Sequence, residues 1–173
     1  PWDNLKFDKD GIEEVKRKFF GTLYNTYSFF TLYTNIDGFS YSEDDIQLNE
    51  RPELDRWILS ELHTLIQKVD KFYEEYEPTR AARAISDFTQ DYLSNWYVRL
   101  SRRRFWKGDY QQDKISAYQT LYTCMVTIST LAAPIAPFFM DKLYLDLNAV
   151  SQKENFECIH LADFPVFDAS YID

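Results

Sequence analysis

Between Arg99 and Lys107 the chain places Arg99, Arg102, Arg103, Arg104 and Lys107, five positive charges in nine residues with no negative one among them. Guanidinium groups suit phosphate because each offers several donors in a planar fork that matches phosphate oxygens. Trp106 stands among these cations, and an indole face can stack on an unpaired base at roughly 1–3 kcal/mol per base. If the surrounding segment is one helix, Arg99, Arg102, Arg103 and Trp106 lie close to one face. Residue type and spacing therefore point to a nucleic-acid contact. A structural account competes with it. Cations near a helix C-terminus are favoured by the helix dipole, and carboxylates of neighbouring elements could neutralise them.

Elsewhere little could do covalent chemistry. Arg80 and Arg83 form a second small positive patch at the start of the same helix, too far along it to join the first, and salt bridges to nearby acids are expected there. Lys16, Arg17 and Lys18 read as a solvated face, and His63 and His160 as isolated structural residues. Cys124 and Cys158 are too far apart for a metal motif; Cys124, in an apolar stretch, reads as a small hydrophobe. The reading expects no disulfide, in keeping with a reducing compartment. No Ser/His/Asp grouping, zinc spacing or phosphate-cradling glycine loop is present. No catalytic residue and no metal ligand is assigned.

The elements that must position these residues are helices. Ile12, Val15, Phe19, Leu23 and Tyr27 step by three and four along a helix from about Gly11 to Asn35, with Asp8 and Asp10 at its start and Asp37-Gly38 at its end. A polar, acidic surface loop is expected from Ser40 to Glu50. A second helix opens at Pro52 with Glu53 and Asp55 in its first turn and ends at Glu77-Pro78-Thr79. The third runs from about Thr79 to Trp106 with Ala81, Ile85, Phe88, Tyr92, Trp96 and Leu100 on its apolar face, so Trp96 is expected in the core and Trp106 outside it. Gly108 is placed as its stop. A fourth helix covers about Asp113 to Ala133, and a short fifth follows from Pro137 to about Leu147. The expected fold is all-α: an up-down bundle of about five helices over residues 1–149, with an irregular tail over 150–173 that packs on the bundle or leads into a further C-terminal domain.

Composition bounds the alternatives. The chain has 173 residues, 45% of them hydrophobic and 27% charged, which fits a globular domain with its own core. Only 4 Gly and 6 Pro argue against a turn-rich β protein. Aromatics make up 18% and can fill a core or stack on bases. A net charge of −9 argues against a uniformly cationic coat, so any nucleic-acid site must be local. There is no charged-then-apolar leader and no 18-residue apolar run, so a cytoplasmic location without membrane spanning is expected. The start at Pro1-Trp2-Asp3 without Met suggests a piece of a longer protein.

Several runs carry a resemblance. The opening Pro1-Trp2-Asp3-Asn4-Leu5-Lys6-Phe7-Asp8, the run Leu54-Asp55-Arg56-Trp57-Ile58-Leu59-Ser60, and Ser94-Asn95-Trp96-Tyr97-Val98-Arg99-Leu100-Ser101-Arg102-Arg103-Arg104-Phe105-Trp106 resemble the isoleucyl-tRNA synthetase family of class I. Leu131-Ala132-Ala133-Pro134-Ile135-Ala136-Pro137-Phe138 and His160-Leu161-Ala162-Asp163-Phe164-Pro165 are similar to its later segments. The form Asn95-Trp96-Tyr97-Val98-Arg99 looks more like the eukaryote-type branch, which some bacteria also carry. The patterns Leu54-Asp55-Arg56-Trp57-Ile58 and Asn95-Trp96-Tyr97 are shared loosely with the valine and leucine enzymes, while the arginine-rich continuation to Phe105-Trp106 points to isoleucine. An anticodon-binding domain of the valine or leucine enzyme is an alternative, as is a helical protein-interaction module with a basic face. The resemblance implies a helical domain that docks the anticodon stem and loop of an isoleucine tRNA through Arg99, Arg102, Arg103, Arg104, Trp106 and Lys107. It also implies a parent that uses ATP with Mg to ligate isoleucine to that tRNA, with catalytic and C-terminal domains as partners. The His-Ile-Gly-His-like and Lys-Met-Ser-Lys-Ser-like motifs of the catalytic fold do not occur in these residues, so catalysis and cofactors are expected outside them.

Overall fold

A computed structural model describes residues 7–107 and 109–172. The motif residues Pro1 to Lys6, the expected helix stop Gly108 and the terminal Asp173 lie outside that set. Among the described residues the chain forms five helical rods and no strand. The first rod is α1 (Lys9–Val15), a π-helical turn (Lys16–Phe20) and α2 (Gly21–Asp37); α3 (Glu53–Glu74) is the second. The third rod joins α4 (Pro78–Asp87), a π-helical stretch (Phe88–Val98) and α5 (Arg99–Trp106). The fourth and fifth are α6 (Gln112–Ala132) and α7 (Pro137–Ser151).

Helix ends follow local chemistry. The Asp8 carboxylate accepts from the Asp10 N–H at the start of α1, which satisfies one orphan donor. Gly38, at φ 72°, closes α2 in the left-handed region that glycine tolerates. Pro78 and Pro137 occupy first turns, where the missing N–H costs nothing.

The core forms around α6, in which Tyr118, Leu121, Met125, Ile128 and Leu131 have no exposed surface. Helix α3 contributes Ile58, Leu62, Leu65 and Val69, and α7 contributes Met140, Tyr144 and Leu147. Cys124 is buried in this core and both cysteines are free; burial, reinforced by the charge of Asp55, pushes the Cys124 thiol up and keeps it protonated.

Two expectations need correction. The segment after Gly38 is not simply a surface loop. Phe39 and Tyr41 are buried, Phe39 stacking on Tyr118 at 4.8 Å and Tyr41 meeting Tyr122 at 5.1 Å. Arg51, also buried, reaches the Ile46 carbonyl, Thr120 and Gln119 and so ties the segment to α6. The acidic composition hid this because two aromatics and one arginine supply the anchoring. In the first rod, Ile12 and Val15 are about half exposed, and burial begins only at Leu23.

Beyond α7 the chain lies against the bundle without regular structure apart from single turns at Ile159–Leu161 and Ala169–Tyr171. Phe164 meets Tyr73 edge-on, and Tyr171 stacks on His63 at 4.1 Å. The Asp168 N–H donates to His63 Nδ1 at 3.1 Å, which requires that nitrogen to be unprotonated. Burial pushes the imidazole below its ordinary 6.5, against the opposing charge of Asp168. As pH falls, the undocked chain therefore binds more protons than the docked one, so this contact is fully present above about 6.5 and is lost progressively below it. The protection of the amides of residues 164–172 against hydrogen exchange, measured relative to their intrinsic rates at each pH, should fall on acidification through that range. His63→Phe, which keeps a ring under Tyr171, should weaken docking at neutral pH and remove its pH dependence.

Candidate nucleic-acid interface

Helix α5 owes its position to Asp55, in the first turn of α3. This side chain has no exposed surface, yet four donors surround its two oxygens. Oδ1 accepts from Tyr97 Oη at 2.8 Å and Arg104 Nη1 at 2.6 Å. Oδ2 accepts from Arg104 Nη2 at 2.8 Å and Ser116 Oγ at 2.5 Å. Arg104 continues to Asp113, its Nε donating to the carboxylate at 3.0 Å and Nη2 to the backbone carbonyl at 2.7 Å. Three rods are thereby joined at one carboxylate. Burial opposes the charge on Arg104, but hydrogen bonds to Asp55 and its negative charge outweigh that and hold the guanidinium protonated above its ordinary range. Burial, then the charge of Asp55, pushes the Tyr97 hydroxyl far up, so it remains a donor.

The predicted basic residues consequently divide. Arg104, counted among the RNA contacts from sequence, is mostly buried and has its fork committed to Asp55 and Asp113. Nearby carboxylates neutralise this one cation, as the competing structural account anticipates. Arg99, Arg102, Arg103 and Lys107 are exposed, and among the described residues none of them takes part in an ion pair within 4.0 Å. Trp106 is 57% exposed at the end of α5.

Trp96 is a correction. Expected in the core, it is 59% exposed, and Leu100 is exposed with it. The cause is the π-helical stretch, whose wider turn displaces the side-chain register. The buried face follows Ala81, Ile85 and Phe88 as an α-helical period predicts, then slips by one residue to Thr89, Leu93, Tyr97, Ser101 and Phe105. Tyr92, Trp96 and Leu100 turn outward with it. Tyr92 stacks between Phe88 at 6.0 Å and Trp57 of α3 at 6.2 Å. No local sequence signal gives the π register, though the buried series Ile85, Thr89, Leu93, Tyr97, Ser101, Phe105 at constant spacing of four is its trace.

The second patch is also revised. Arg80 and Arg83 are exposed and form no ion pair within 4.0 Å among the described residues; Arg80 lies 4.5 Å over the Phe72 ring instead. The cation–π contact sets the guanidinium itself on the ring face while the residue as a whole stays exposed.

A helical domain with a solvated basic helix end, held by a buried carboxylate, is the setting for comparison with known proteins. The chain belongs to the family described as the anticodon-binding domain of tRNA ligase, whose model matches residues 55–173. It is similar over its full length to isoleucine–tRNA ligases: 65% identical to that of Bacteroides fragilis, 61% to that of Cytophaga hutchinsonii and 43% to that of Clostridium novyi. The chain spans only 15–16% of the length of these relatives. All three are bacterial and lend no support to the eukaryote-type branch expected above.

Removing either partner of the central pair strands the other. Asp55→Ala should lower unfolding free energy by about 3–5 kcal/mol, as should Arg104→Ala. The double variant should cost less than the sum of the two. Urea unfolding followed by circular dichroism measures all three.

Proposed function

We propose that this chain docks the anticodon stem and loop of an isoleucine tRNA, with Arg99, Arg102, Arg103 and Lys107 on phosphate oxygens and Trp106 against an unpaired base. The observation that carries the reading is the division within one cationic run: Arg104 is spent on structure, while its four neighbours stand solvated and unpaired among the described residues. In a chain of net charge −9, such a cluster concentrates attraction for an anion at one place. Phosphate contacts of this kind set register and orientation, whereas base contacts carry identity.

The longer protein would be an isoleucine–tRNA ligase of the cytoplasm, joining isoleucine to its tRNA with ATP and Mg on a nucleotide-binding fold outside these residues. Its catalytic and C-terminal domains would be the covalent partners of this one. A eukaryote-type branch rests on the wording of Asn95 to Arg99 alone. Among the described residues no helix is long and apolar enough to cross a membrane.

Titrating the chain with an isoleucine tRNA transcript and with a noncognate tRNA over a salt series tests the reading. Affinity should fall steeply with salt, and Arg102→Glu with Arg103→Glu should lower the log–log slope by about 2 while weakening binding of the cognate tRNA. Preference for the isoleucine tRNA would place identity reading in this domain, and equal affinity would make it a positioning element. No salt-sensitive binding to either tRNA would overturn the assignment.

A further inference from the structure

The two basic patches, which their separation along the sequence keeps apart, are connected by a groove between α3 and the rod α4–π–α5. One stretch is lined by Lys68, Arg80 and Arg83, with Glu61 and Asp87. The next is lined by Leu54, Trp57, Asp91, Trp96 and Leu100, and Tyr92 belongs to both. Past Leu100 the same rod continues into Arg103 and Trp106. From Arg83 to Arg103 the helical rise spans about 30 Å.

The middle of this groove has the form of a stacking platform. Phe88, Tyr92 and Trp57 already form a ladder of near-parallel rings, with interplanar angles of 10° and 23°. Phe88 closes the ladder on the core side, and Trp96 stands open in the same groove. Cations line the first stretch, the rod carries Arg99 and Arg103 at and past the end of the second, and the carboxylates Glu61, Asp87 and Asp91 lie between along the groove. That alternation disfavours a phosphate in the middle and favours one at each end. A carboxylate beside the platform can accept from the exocyclic amino group of a base.

We propose that this groove is a track for unpaired RNA, in which a base stacks on Trp96 beside Trp57 and Tyr92 while flanking phosphates meet Arg80 and Arg83 at one end and Arg99 and Arg103 at the other. The proposal deepens the functional reading above and rests on it. It adds Trp96, Tyr92, Trp57, Arg80 and Arg83 to the contact surface, and it gives the π-helical register a purpose, since that register is what turns Trp96 outward. Stacking on aromatics flanked by cations is the general solution for binding single strands.

The test uses an RNA stem–loop with the anticodon-arm sequence of an isoleucine tRNA, carrying 2-aminopurine at one loop position at a time. Binding should quench the fluorescence at one or two positions. Trp96→Ala should abolish the quench at the position stacked there, leaving any quench by Trp106, and weaken binding about 5- to 150-fold, with the salt slope unchanged. Arg80→Glu with Arg83→Glu should weaken binding and lower the slope by about 2. Trp96 is exposed, so its truncation leaves the core intact, and Tyr24→Ala on the exposed face of α2 should alter neither readout. If Trp96→Ala keeps both affinity and quench while Arg102→Glu with Arg103→Glu abolishes binding, the track is overturned and the functional reading stands. In that case another occupant, such as a protein segment, covers the groove. If the unaltered chain binds no RNA, the functional reading fails and the track falls with it.

Discussion

A carboxylate with no exposed surface is tolerated only when its lone pairs are filled and its charge is matched. Asp55 meets both conditions, and by doing so it fixes the relation of three rods. Tyr97 and Arg104 come to it from the long third rod, and Ser116 from α6. The donors are 42 to 61 residues away in sequence, so the site exists only when the bundle is assembled. A pair of this kind contributes specificity of arrangement more than net stability. Here the arrangement it specifies is the direction and rotation of α5, and therefore where Arg99, Arg102 and Arg103 stand.

The π-helical stretch works with that anchor. Tyr97 must face inward to reach Asp55, and Phe105 must face inward to pack against Phe29 and Tyr118. An uninterrupted α-helix continuing the face of Ala81, Ile85 and Phe88 would bring Trp96 and Leu100 inward in place of Tyr97 and Ser101. One wider stretch resolves the conflict and exports an indole to the surface. Such π segments are rare within α-helices and are frequent at functional sites.

The aromatic content serves two ends. Phe30, Phe39, Tyr41, Tyr118 and Tyr122 form a continuous set of edge and stacked contacts that closes the bundle around α6. Several of these tyrosines place the ring inside and give the hydroxyl a polar partner: Tyr118 donates to Asp37, and Tyr122 shares a hydrogen bond with Ser151. Tyr92, Trp96 and Trp106 face solvent instead. Composition counts both groups alike, because a ring that fills a core and a ring that awaits a base have the same sequence letters.

The sequence by itself determined the helices, because their limits are local: Asp8 as a cap, Gly38 at positive φ, proline in the first turns of α4 and α7, and apolar periodicity between. It also determined that positive charge concentrates at Arg99 to Lys107, and its quoted runs carried the family. Tertiary structure decided which of those cations are free. Arg103 and Arg104 are adjacent and chemically identical, and only the position of Asp55 and Asp113 commits one and leaves the other in solvent. Tertiary structure likewise decided the fate of Trp96, since a shift of one residue in helical register arises from the demands of packing partners far along the chain. Local propensity reads turns and periods; charge pairing and register depend on distances that only the folded chain brings into being.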